Sequence, residues 1–269
     1  MVVATRTRSS FYGVAVSSTH QVLGTTVDMP VRIRNARCFV AGFTASADAV
    51  TAAIAPTRLT PLIVNPFSLD PRRFGQPRTV AMLVFVDYID GDLGPYNEFG
   101  VCFLVNDPEQ PGASPIASLG SLIRGDARAL IHHLPVDGEF TLAAGRGIWG
   151  FPKTMAEFDV DHDSPRKHGA VRADGHDIVD LTLAPGIGVP DQSGGTTLTA
   201  YSHLDGTTRR TPWRLEQTTG VHTRVGGATL TLGSHPIADE LRGLGLSRHA
   251  LMTSSVAKLQ MTFDDATVC

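Results

Sequence analysis

Lysine is nearly absent from this chain of 269 residues: Lys153, Lys167 and Lys258 stand against twenty arginines. Arginine stays protonated at any working pH, so chemistry that needs a neutral amine has only three positions to use. Charge is also sparse, at 18% with a net value of −3. There is no basic stripe interleaved with aromatics, which argues against a nucleic-acid partner and an anionic membrane surface. No apolar run reaches the roughly 18 residues of a transmembrane helix, so no membrane partner is expected. The opening MVVATRTRSSFYGVAVSS lacks an apolar stretch long enough for a secretory signal, and the expected location is cytoplasmic. Cysteine is scarce and odd in number: Cys38, Cys102 and Cys269. None has metal or redox spacing and the odd count argues against a disulfide framework, which fits a reducing compartment. A G-x-S-x-G elbow is missing, and no glycine-rich stretch has the strand–loop–helix setting of a nucleotide site. No cofactor is expected.

Hydrophobic residues make up 42% of the chain, enough for a large core and too many for a disordered segment. Apolar–polar alternation dominates over helical periodicity. Strands are predicted over 31–43, with a bulge near Asn35, and over 79–89 and 98–105, the last two joined by the tight connection DGDLGPYN. A second hairpin is predicted around Asp137–Gly138, pairing 127–136 with 139–151, because Asp-Gly between apolar runs is a strong turn signal. Further strands are predicted over 155–163, 170–175, 177–185, 196–204, 227–233 and 256–264, with 184–197 containing a loop. Helices are few: 46–55, with Ser46 as N-cap, and 235–245, with Ser234 as N-cap and Pro236 in the first turn. A short helix is also expected within 114–125. Many strands at short spacing argue for a mostly β barrel or packed sheets rather than a doubly wound fold. Without a repeat, linker or composition break, one domain over 1–269 is expected.

Three candidate sites for chemistry stand out, and two are weak. His132 and His133 are adjacent, so in a strand they face opposite ways and do not share a metal. DVDHD at 159–163 has ligand-type residues but no second cluster at a recognised spacing. No metal site is expected. The third is Lys153 in GRGIWGFPKTM. Lys167 sits in a polar run, and Lys258 alternates with apolar residues and faces water. As an extended strand, the segment would put Trp149, Phe151, Lys153 and Met155 on one face. A lysine among such neighbours is poorly solvated, which lowers its pKa. Reaching neutrality takes roughly 3–4 units, about 5 kcal/mol, which demands a rigid, buried setting. The alternative is a lysine stem lying along a strand with its amine in water.

GRGIWGFPK is similar to the segment carrying the Schiff-base lysine in the acetoacetate decarboxylase family, and DLGPYNE (92–98) resembles that family's Leu-Gly-x-Tyr-x-Glu segment. The resemblance spans about 28–264. It implies an antiparallel β-barrel or cone with two or three peripheral helices, and a homo-oligomer of at least two copies. It implies Lys153 as the covalent catalyst and Glu98 as the active-site acid. Tyr96, Trp149 and Phe151 would line the substrate pocket, and Arg146 would pair with a substrate carboxylate, or brace the strand or a subunit contact. The chain departs from the family pattern at Thr154, where the founding decarboxylase has a second lysine, and at Gly147, where a glutamate is common. Leu83 stands near the place of another acid, and an expected arginine falls near Ala36 or Arg37. Three functions therefore stay open: a Schiff-base decarboxylase of a β-keto acid, a Schiff-base aldolase or dehydratase of pyruvate-like substrates, and a barrel that binds a small molecule without turnover.

Overall fold

A computed structural model describes residues 4–5, 18–64, 76–106, 108 and 128–269. In chain order the elements are β1 (Ala4–Thr5), β2 (Thr19–Val22), β3 (Thr25–Asp28), β4 (Val31–Ser46), α1 (Ala47–Ala53), β5 (Arg78–Gly91), β6 (Tyr96–Leu104), β7 (Arg128–Val136) and α2 (Glu139–Ala144). They continue as β8 (Lys153–Met155), β9 (Glu157–Asp161), β10 (Lys167–Ala173), β11 (His176–Leu183), β12 (Ile187–Gly188), β13 (Gln192–Leu204), β14 (Thr207–Val225), β15 (Ala228–Leu232), α3 (Pro236–Gly243), β16 (Met252–Phe263) and β17 (Thr267–Val268). The helix expected within 114–125 lies outside the described residues.

The architecture is mostly β. Strands β14, β13, β7, β6, β5, β4 and β16 pair in that order, and β16 pairs back onto β14, so one sheet closes into a ring. Neighbours in the ring are antiparallel except β13 and β7. Closure gives each of these strands a partner on both sides over at least part of its length, which limits free edges. The short strands β12 and β17 pair with β14, and β8 with β7; a second sheet, β15-β11-β10-β9, and the small sheet β1-β2-β3 complete the described strands.

Side chains on successive strand residues alternate, so the ring strands carry two different apolar faces. Phe99, Val101 and Phe103 of β6 join Phe39, Phe85, Leu181 and the α3 residues Ile237 and Leu241 in one cluster. That face is covered by the second sheet and by α1 and α3. The other face gathers Tyr88, Tyr96, Leu134, Val136 and Met261 with Trp149 and Phe151. Glu98 alternates with Phe99 and so turns toward this second cluster.

Several predicted elements are where the pattern placed them. β4 has its register irregularity at Asn35. β5 and β6 form the expected antiparallel hairpin. The Ser46 side chain accepts from Ala49 N at the start of α1. Others differ. The cap of α3 is His235, whose ring nitrogen accepts from Ile237 N, and not Ser234. The stretch 184–197 is not all loop, since it holds β12 and the start of β13. β14, 19 residues long and needed to close the ring, had no prediction.

The second predicted hairpin is absent. After β7 the chain enters α2, followed by a widened π turn over Gly145–Trp149. Asp137 does not serve as a hairpin turn residue: its carboxylate accepts from Asn97 N at 2.7 Å and from Asn97 Nδ2 at 2.8 Å. Thr141, Ala144, Gly145 and Ile148 are buried, a spacing of three, four and seven that marks one helical face.

Candidate active site

The π turn ends at Gly150, whose φ of +63° favours glycine, and the chain then runs through Phe151 and Pro152 into β8. Phe151 N donates to Gly145 O at 3.0 Å and Lys153 N to Phe151 O at 2.8 Å, which folds the segment back on α2. β8 pairs in parallel with β7, with Lys153 opposite Leu134. Lys153 is therefore the first residue of a short strand rather than the middle of a long one.

This changes the reason for its burial. Trp149 lies in a helical turn and Met155 is exposed, so the expected four-residue strand face does not form. The lysine is nonetheless 3% exposed. Its stem crosses α2 at Gly145, where an added Cβ would stand 2.6 Å from Lys153 Cδ. Only glycine leaves room there. The Nζ donates to Thr141 Oγ1 at 2.7 Å and lies 2.9 Å from Glu98 Oε2. It also sits 4.7 Å from the centre of the Tyr96 ring, a cation–π distance.

Glu98 is buried, and its other oxygen accepts from Tyr88 OH at 3.0 Å. The Tyr88 and Tyr96 rings stack at 4.3 Å. Burial, followed by the field of Glu98, pushes both phenols well above their ordinary pKa, so both stay protonated. Burial also pushes the Lys153 amine below the usual lysine value, while Glu98 pulls it back up by charge and hydrogen bonding. Burial is the larger effect. The cluster is an amine, a carboxylate and a phenol in a row, able to pass a proton between neighbours and to release a neutral amine.

The structure thus gathers Lys153, Glu98 and Tyr96. It does not bring the Arg146 guanidinium into this cluster. Arg146 is exposed, and its Nη1 donates to the Lys153 carbonyl at 3.2 Å, bracing the strand. Trp149 and Phe151 are buried and stacked at 5.6 Å, and Trp149 Nε1 donates to Asp264 O. Thr154 is exposed, on the side of β8 away from the amine. Lys258 is exposed, and the amine of Lys167 donates to the His162 carbonyl. Sequence reasoning missed Tyr88, Thr141 and Gly145. The helical stripe at 141, 144, 145 and 148 was the signal for the last two. A cleft of about 320 Å³ lined by Lys167, His222 and Ser254 contains neither Lys153 nor Glu98, so the site rests on the buried cluster and not on that cleft.

The family model for acetoacetate decarboxylase (ADC) matches residues 25–268. Solved structures share the fold. The acetoacetate decarboxylase of Legionella pneumophila is 18% identical, with 89% of this chain and 87% of that one covered, at a TM-score of 0.57. An acetoacetate decarboxylase-like enzyme from Sphingomonas wittichii RW1 is 13% identical, with 90% and 94% covered, at 0.55. The enduracididine biosynthesis enzyme MppR, complexed with pyruvate, is 14% identical, with 89% and 90% covered, at 0.53. No curated protein sequence matches significantly.

Proposed function

This chain belongs to the acetoacetate decarboxylase family, and on that premise we propose that it is a Schiff-base lyase acting on a keto acid, with Lys153 as the nucleophile and Glu98 as the proton shuttle. The observation that carries the reading is the buried Lys153 amine held 2.9 Å from the Glu98 carboxylate. Arginine cannot supply a neutral amine, whereas a lysine held out of water can.

The neutral amine attacks the substrate ketone carbon. The resulting carbinolamine loses water, with Glu98 carrying the proton to the departing oxygen, and an iminium remains. In a β-keto acid the bond to the carboxylate lies beta to that nitrogen. It breaks, carbon dioxide leaves, and the electron pair enters the enamine. Protonation at carbon and hydrolysis return the ketone product and the free amine. Tyr88 holds Glu98 in place throughout, and Thr141 aims the Nζ. Burial would replace the amine's hydration shell by these fixed partners. The reading includes a cytoplasmic homo-oligomer.

A second reading has the enamine attack an aldehyde carbon, giving aldol addition on a pyruvate-like substrate. Thr154 and Gly147, which depart from the founding decarboxylase's pattern, leave it open, and the pyruvate bound in the MppR structure is a keto acid of that kind. The experiment is turnover of a keto-acid panel (acetoacetate, longer β-keto acids, and pyruvate with aldehydes) by wild type and Lys153→Arg. Carbon dioxide release lost in Lys153→Arg supports decarboxylation. Condensation products without carbon dioxide support the second reading. Binding with no turnover, unchanged in Lys153→Arg, would leave a small-molecule binding protein and end the enzymatic account.

A further inference from the structure

α3 is fastened to the outer face of the ring by side chains that the amine site does not use. His132 Nε2 lies 2.5 Å from Glu240 Oε1, and His133 Nε2 lies 2.8 Å from Glu240 Oε2. Adjacent strand residues ordinarily point to opposite faces, which is why no shared site was expected here. The pairing of β6 with β7 explains the exception. Val101 faces His133 but Cys102 faces Ile131, so His132 is the extra residue of a bulge. A bulge re-aims a side chain, and here it turns both imidazoles the same way. Their rings are 4.4 Å apart, and His132 packs on Phe103 at 5.1 Å. Phe103 and the α3 residues Ile237 and Leu241 belong to one outer cluster.

We propose that His132, His133 and Glu240 form a binding site for one divalent transition-metal ion of the zinc type. Two imidazole nitrogens and one carboxylate oxygen are a zinc donor set, with a fourth position left for water. The three donor atoms all lie within 4.8 Å of one another. Around a tetrahedral ion with bonds of ~2.0–2.1 Å, neighbouring donors sit about 3.3 Å apart. With Oε1 as the donor oxygen, its 2.5 Å separation from His132 Nε2 has to widen by roughly 0.8 Å, and the other donor pairs, which lie within 4.8 Å, settle to the same spacing, a rotamer adjustment and not a rearrangement. On binding, each imidazole carries its proton on Nδ1 and offers the Nε2 lone pair. All three side chains are partly exposed, which gives the ion a path in and the fourth-position water a place. The ion would pin α3 to β7 on the outer face, while Lys153 lies next to Leu134 of the inner cluster. Its role is to hold the scaffold and not to act on the substrate.

The test uses the full chain stripped with a chelator. Co2+ is titrated while its visible spectrum is read, Zn2+ is titrated by calorimetry, and the unfolding temperature is measured with and without Zn2+. The expected result is one ion per chain, a tetrahedral Co2+ spectrum, displacement by Zn2+ and a higher unfolding temperature. Glu240→Gln and His133→Ala should each weaken binding at least about tenfold, since losing a ligand costs no less than losing a partner behind it. His176→Ala, which removes an exposed histidine bonded to Ser234, should leave binding unchanged. If His133→Ala does not fold, the near-isosteric Glu240→Gln carries the comparison. No stoichiometric binding by the wild type, or unaltered affinity in Glu240→Gln, overturns the proposal.

Discussion

Lys153 Nζ lies 2.9 Å from Glu98 Oε2, with both side chains almost wholly buried, and two opposing effects meet on that amine. Loss of water disfavours its charge; the carboxylate favours it. Burial is the larger, so the amine is easier to deprotonate than an ordinary lysine while still having a partner to receive its proton.

Removing one member of this pair strands the other. Lys153→Met leaves the Glu98 carboxylate buried without its cation, and should lower unfolding free energy by about 3 kcal/mol. The double variant Lys153→Met/Glu98→Gln should recover much of that loss, because no uncompensated charge remains. Denaturant unfolding of the three proteins measures both. A single variant as stable as wild type would mean that the two groups are not held as a charged pair.

The lowered amine also makes stability depend on pH. Between its folded pKa and the ordinary lysine value of 10.5, the unfolded chain binds more protons at Lys153 than the folded one. Stability then rises with pH across that window, and this contribution levels off above the ordinary value and below the folded one. Unfolding free energy measured from neutral to alkaline pH, with Lys153→Met subtracted, should show that upward slope. A flat or falling difference would contradict the lowered amine.

Gly145 offers a test that separates position from fold. An added Cβ would meet Lys153 Cδ at 2.6 Å and drive the stem off its path. The backbone there has φ −60° and ψ −46°, so alanine suits it and contributes roughly 1 kcal/mol of helix preference against the crowding. Gly145→Ala should remain folded yet lose about 100-fold in turnover, the scale expected when a reacting group moves by about 1 Å. Circular dichroism and steady-state kinetics together read this; full activity would show that the amine's placement tolerates a shift.

Legibility followed how much of the reason for a structure is local. The bulge at Asn35 and the β5–β6 hairpin were visible because alternation and turn residues were both intact. Lys153 and Glu98 were visible through two short motifs. The reason Lys153 is buried was not visible, because it depends on α2, and the Asp-Gly signal at 137–138 outweighed a helical stripe of small residues. Asp137 was already committed to Asn97, a contact 40 residues away that no local pattern contains. β14 was missed because arginines, Pro212 and Gly220 interrupt its alternation; its pairing on both sides by β13 and β16 makes it a strand. The joint aim of His132 and His133 depends on a bulge set by register with β6, which the sequence of β7 alone does not reveal.

The central claim is that Lys153 forms an iminium with a keto acid. Its most direct test is borohydride reduction in the presence of acetoacetate, longer β-keto acids and pyruvate, followed by digestion and mass analysis. The account predicts a reduced adduct on Lys153 and none on Lys167 or Lys258, with a mass that records whether carbon dioxide has already left. An unmodified Lys153 across the panel, with its peptide detected and its amine titrating like an ordinary lysine, would contradict it.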